Sequence, residues 1–112
     1  MSTAAREEAP ELLPPQVDAA TLSKYFTLSE ADLAEVKRCR GAVNKVGFAV
    51  QLCMLRWRGY FLKDAGAVPW AVLETLTQQL GLLPFPLANY PQDEKTRFEH
   101  LERIRRYLGF VR

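Results

Sequence analysis

RCRGAVNKVGFAVQLCMLRWRGYFL, residues Arg38 to Leu62, is the stretch that decides the fold. At about 100° per residue, Val43, Val46, Val50, Cys53, Met54, Trp57 and Phe61 fall on one wide apolar face. Phe48, Leu52 and Leu55 form a second, narrower stripe. A helix that is apolar on two sides is buried between neighbours. A central helix is therefore expected over about Ala42 to Phe61. Asn44, Gln51 and Arg58 border the second stripe on one edge, and Lys45 and Arg56 border it on the other. The polar surface of this helix should thus be two narrow strips and its charged ends.

Working outward, helical signals continue on both sides. Asp18 suits the cap of a short helix through about Phe26, with Val17 and Leu22 at hydrophobic-staple positions. Ser29 and Asp32 have capping-box spacing, flanked by Leu28 and Leu33. That second helix should reach about Cys39 and stop at Gly41 in a left-handed C′ position, leaving a very short link as in a helical hairpin or a helix-turn-helix. Pro69 suits the first turn of a fourth helix carrying Trp70, Leu73, Leu76 and Leu80 and ending at Gly81. Pro84, Pro86 and Pro91 make the next stretch a turn, with at most one short helix around Leu87 to Tyr90. A fifth helix, about Asp93 to Leu108, puts Phe98, Leu101, Ile104 and Leu108 inward. On its outer face Glu99–Arg103 and Glu102–Arg106 stand in the favourable i, i+4 order. The expectation is an all-α, compact bundle of about five helices, with a helix-turn-helix-like arrangement and a buried central helix. Residues 1–17 read as a flexible leader and 18–112 as the helical domain.

With 112 residues and 48% hydrophobic content, one globular domain is expected. Cys39 and Cys53 are isolated thiols without metal spacing, consistent with a reducing, cytoplasmic compartment. The longest uncharged run in the central helix, Val46 to Leu55, is far short of the ~20 apolar residues that cross a bilayer. No signal peptide is seen, and no membrane partner is expected.

Charge is sorted along the chain. The net is only +2, yet residues 36–63 hold Lys37, Arg38, Arg40, Lys45, Arg56, Arg58 and Lys63 with no acidic residue. Residues 1–35 sum to −5, 64–92 to −2 and 93–112 to +2. A one-signed cluster beside helix ends attracts a phosphate backbone. The other reading is that these side chains solvate an apolar helix with their stems. Both are open from composition alone.

Catalytic chemistry is not evident. There is no Gly-rich phosphate loop, no nucleophile paired with a base, and no acidic cluster for magnesium. His100 reads as a surface residue of the last helix rather than a general base. No cofactor, metal or catalytic residue is expected. Trp57, Trp70 and Tyr60 could stack on bases, but their spacing with Val50, Cys53 and Leu73 favours the core. Thr77, Gly81 and Leu87 have helix-turn-helix-like spacing, which Pro84 and Pro86 weaken. Arg103, Arg105, Arg106 and Arg112 make a further basic patch, for which pairing with glutamates is the simpler role.

The run Arg38-x-Arg40-Gly41-x-x-Asn44-Lys45-x-Gly47-Phe48-Ala49-x-Gln51-Leu52-Cys53-x-Leu55-Arg56-x-x-Gly59-x-Phe61-Leu62 resembles the signature of the N-terminal domain of Tn-three family transposases, enzymes of bacterial replicative transposons. The likeness extends upstream through Leu22-Ser23-Lys24-Tyr25-Phe26-Thr27-Leu28. Downstream it takes in Val68-Pro69, Gln79-Leu80-Gly81 and Arg97-x-x-His100-Leu101-x-x-Ile104-Arg105-x-x-Leu108-Gly109-Phe110. It implies a helical module that helps recognise the terminal inverted repeats. In such enzymes the acidic catalytic triad lies in an RNase-H-like domain much further along, so no catalytic residue carries over. The matched basic positions Arg38, Arg40, Lys45 and Arg56 carry over as candidate DNA contacts.

Two function classes follow. In the first, the chain binds double-stranded DNA at transposon ends: Arg38, Arg40, Lys45, Arg56, Arg58 and Lys63 neutralise phosphates, and Asn44 and Gln51 are the candidates for base contacts. In the second, it is an interaction module that pairs with itself or with the rest of a transposase, or a truncated regulatory product.

Overall fold

The computed structural model describes residues 17–109. Five α-helices follow one another: α1 (Ala19–Tyr25), α2 (Glu30–Lys37), α3 (Ala42–Arg58), α4 (Trp70–Gln79) and α5 (Glu94–Leu108), with a 3₁₀ turn over Ala65–Ala67. There is no strand among the described residues. The leader expected over residues 1–17 lies outside them, except for Val17, which is buried in the core and belongs to the domain.

Local chemistry sets most of the helix ends. Asp18 accepts the Thr21 N–H at 2.8 Å and caps α1. Ser29 and Asp32 close the capping box of α2, with bonds of 3.0 and 2.9 Å in the two directions. Asp93 accepts the Thr96 N–H and caps α5. Gly109 ends α5 in the left-handed region at φ 79°.

Two helix boundaries differ from expectation. Gly41 does have positive φ (82°), but its ψ of 155° is extended. It is therefore the N-cap of α3, not the C′ residue of α2, which already ends at Lys37. Gly59 takes the left-handed conformation (φ 81°, ψ 10°) and donates to the Leu55 carbonyl. It stops α3 at Arg58, short of the expected Phe61.

Helix α3 is the axis of the domain. Every residue from Val46 to Leu55 is buried, and α1, α2, α4, α5 and the 3₁₀ turn all pack on it. Phe26, Val36, Leu62, Val72, Leu76 and Ile104 close the core around it. The two polar strips expected along its flanks do not exist in this middle section. Gln51, drawn as a strip residue, is only 1% exposed. Its amide donates to the Leu62 carbonyl and accepts the Leu62 N–H, both at 2.8 Å, clamping the returning chain onto α3.

Other expectations are corrected. The stretch after Gly81 is a turn, as expected, without the short helix allowed around Leu87 to Tyr90, and the next helix is α5. Phe98 is 65% exposed, because it lies about 120° round α5 from the buried Ile104. His100 takes the inner position instead: it is buried, its Nδ1 lies 2.8 Å from the Tyr90 hydroxyl, and it meets the Phe48 ring edge-on. Trp57 packs against Tyr25 and Phe26, as a core residue should. Trp70, the first residue of α4, is 49% exposed and stands at the rim. The pairing along α5 also differs, since Arg103 crosses to Glu35 on α2 and Arg105 bonds Glu102.

Candidate nucleic-acid interface

The four-residue link between α2 and α3 gathers basic side chains in a small space. Arg38 closes α2 and Arg40 is exposed beside Gly41. The link is held from several directions. The Lys45 ammonium donates to the Cys39 carbonyl at 2.6 Å, the Asn44 amide donates to the Arg40 carbonyl at 3.0 Å, and Arg103 reaches Cys39 Sγ at 3.7 Å. Arg38 donates to the Glu35 carboxylate at 3.2 Å and remains 63% exposed.

Gly41 supplies no side chain to cap α3. The first N–H groups of a helix have no partner within it and carry the positive end of its dipole. Gly41 and Ala42 are exposed, so this end of α3 faces outward, with Arg38, Arg40 and Lys45 close to it in the chain. Such an end attracts phosphate.

At the opposite end, roughly 24 Å along the helix, Arg58 is exposed. It lies 5.0 Å from the Trp57 ring centroid, with Nε 3.4 Å from the Tyr60 hydroxyl. Lys63 is exposed on the loop beyond.

The structure thus divides the residues proposed from sequence. Arg38, Arg40, Arg58 and Lys63 are exposed, and Asn44 and Lys45 are half-buried at the link. Gln51 lies in the core with both ends of its amide bonded to Leu62, out of reach of a base edge. Arg56 is turned inward to a bidentate pair with Asp32, at 3.0 and 2.8 Å. Asp32 is 2% exposed and also accepts from the Tyr107 hydroxyl at 2.6 Å. Burial raises its pKa, but the bonds from Arg56, Tyr107 and the Ser29 N–H outweigh that and hold the carboxyl below its ordinary range. Arg56 therefore serves the fold: it neutralises a charge that the α2 capping box brings into the interior.

Among the described residues no three His, Cys, Asp or Glu side chains gather to hold a metal ion. Burial pushes the Cys53 thiol up to about 12 and lowers the His100 pKa, which suits core residues rather than a nucleophile and base.

Residues 1–112 match the domain family described as a domain of unknown function, DUF4158. The chain belongs to that family. Its relatives are Tn-three family transposases. It is 40% identical over 90 residues to the transposase for transposon Tn1546 of Enterococcus faecium, a match covering 80% of this chain and 9% of the relative. To the transposase for transposon Tn501 of Pseudomonas aeruginosa it is 37% identical over 87 residues, covering 78% of this chain and 9% of the relative. To the transposase for transposon Tn21 of Escherichia coli it is 34% identical over 109 residues, covering 96% of this chain and 11% of the relative. The chain thus spans about a tenth of the length of the curated relatives it matches. No helix among the described residues is long and apolar enough to cross a membrane.

Proposed function

We propose that this chain is the DNA-binding module of a Tn-three family transposase, acting in the cytoplasm on the terminal inverted repeats of its transposon and carrying no catalytic residues of its own. The observation that carries this reading is the exposed start of α3, which has no side-chain cap and has Arg38, Arg40 and Lys45 within four residues of Gly41 in the chain. Arg58 and Lys63 supply a second basic end, roughly 24 Å from the first along the axis of the buried α3. Asn44, next to the Arg40 carbonyl it holds, is the one remaining candidate for a base contact. Transposition requires the ends of the element to be recognised, and the transposase relatives make those ends the expected ligand.

The test is a binding titration on a duplex carrying the terminal repeat and on a scrambled duplex, each at two salt concentrations. Binding that weakens steeply with salt and favours the repeat is expected. Absence of binding at low salt overturns the reading, and equal binding to both duplexes reduces it to backbone positioning.

A second reading is favoured by Phe98, whose ring stands exposed on α5. In it the chain docks on the remainder of a transposase or on a second copy. A mass that rises with concentration, and falls back when Phe98 becomes Ser, would support it.

A further inference from the structure

Glu35 and Arg38 at the end of α2, with Arg103, Arg106 and Tyr107 near the end of α5, line one shallow, open depression. Three arginines and one glutamate line it, an excess of positive charge. Both helices end at this seam, and helix C-termini favour cationic side chains.

The members are not equivalent. Arg103 is fixed: its Nη2 donates to the Glu35 carbonyl at 2.7 Å and to Glu35 Oε1 at 3.2 Å, and the guanidinium lies 4.4 Å from the centroid of the Phe48 ring. The Tyr107 hydroxyl is committed to Asp32, so its ring serves as a wall. Arg38 donates to the same Glu35 oxygen as Arg103 and is 63% exposed, which leaves most of a guanidinium's five donors available. Arg106 is exposed and lines the same depression.

We infer that Arg38 and Arg106 form a clamp for a single phosphate of the duplex backbone, with Arg103 as the positioning residue that holds Glu35 and the two helices in register. The inference rests on the DNA-binding reading and extends the contact surface from the start of α3 across the α2–α5 seam. A paired guanidinium site suits a phosphodiester, because each fork can bond two of its oxygens. A phosphate contact carries no sequence information, so the clamp sets affinity and orientation rather than specificity.

The experiment compares the full chain with Arg106→Ala and Lys95→Ala on repeat and scrambled duplexes over a range of salt. Lys95 is exposed on the same helix, roughly 16 Å from Arg106 along its axis, and removes the same charge. For Arg106→Ala the slope of log K against log salt is expected to fall, by about 0.9 at most because Arg38 stays on the shared phosphate, with the same fold loss on both duplexes. Lys95→Ala should keep the wild-type slope. A wild-type slope in Arg106→Ala overturns the clamp while leaving DNA binding intact, and so does an equal drop in Lys95→Ala. If the wild-type chain binds neither duplex at low salt, DNA binding itself fails and the clamp falls with it.

Discussion

The ring of Tyr90 occupies the space where a side chain at position 47 would begin. A Cβ built on Gly47 overlaps the Tyr90 ring at its base rather than at its tip. Gly47 sits inside α3, where glycine costs about 1 kcal/mol relative to alanine. The close approach seats the ring on the central helix and brings the Tyr90 hydroxyl to His100 on α5. The proline-containing loop, α3 and α5 therefore meet at one point, which depends on the absence of a methyl group.

Gly47→Ala should accordingly destabilise the fold despite its better helix propensity. Overpacking of this kind costs about 1–3 kcal/mol. A denaturant titration should show a lower midpoint with an unchanged slope. A midpoint at or above wild type would mean that Tyr90 yields easily.

Arg56→Ala leaves the Asp32 carboxylate buried without its guanidinium partner. Breaking one side of a buried pair costs about 3–5 kcal/mol, and the partial exposure of Arg56 (27%) places this case toward the lower end. DNA affinity of the folded protein, and its salt slope, should be unchanged. A reduced slope with unaltered stability would return Arg56 to the DNA surface.

Gln51→Leu tests the same division of roles from the core side. It strips the Leu62 N–H and carbonyl of their partners, and buried unsatisfied groups cost about 1–3 kcal/mol each. Thermal unfolding should occur well below the wild-type midpoint. Arg40→Ala should do the opposite, lowering duplex affinity and salt slope while leaving the unfolding midpoint in place.

Acid should weaken the fold in two stages. Burial and the nearby Arg103 lower the His100 pKa from its ordinary 6.5, so the unfolded chain binds a proton there that the folded chain resists. The stability that follows from a neutral His100 is complete above pH 6.5 and is lost as pH falls through 6.5 toward the lower folded value. Asp32 acts the same way at lower pH: its contribution is present above 3.8 and disappears as pH falls through its depressed folded value. Unfolding midpoints measured from about pH 8 down to about pH 2 should decline first below 6.5 and again below 3.8, and His100→Gln should flatten the first decline. An equal decline in the variant would place the effect elsewhere.

Much of the architecture can be read along the chain, because it depends on neighbours in sequence. The caps at Asp18, Ser29 and Asp93 act within three residues of themselves, and the apolar periodicity of α3 announces a buried helix without knowledge of what covers it. Sorted charge and the transposase-like motif are likewise linear features. The candidate surface was less legible. Arg38, Arg40, Arg56 and Gln51 look alike as polar residues in a basic motif, yet Arg56 finds Asp32 at a separation of 24 residues and Gln51 finds Leu62 at 11. His100 turns inward for a similar reason: its partners, Tyr90 and Phe48, are distant in the chain and near in space.

Sequence was therefore sufficient for an all-helical domain built around α3 and for its kinship with transposases, since helix caps, periodicity and motif are local or linear. Only the packed structure decided which basic residues remain on the surface, because a guanidinium is either a DNA contact or an internal counter-ion according to what the fold brings beside it. Arg56 and Arg106 show the two outcomes. One is drawn inward by a buried carboxylate, and the other is left outside at the α2–α5 seam next to Arg38.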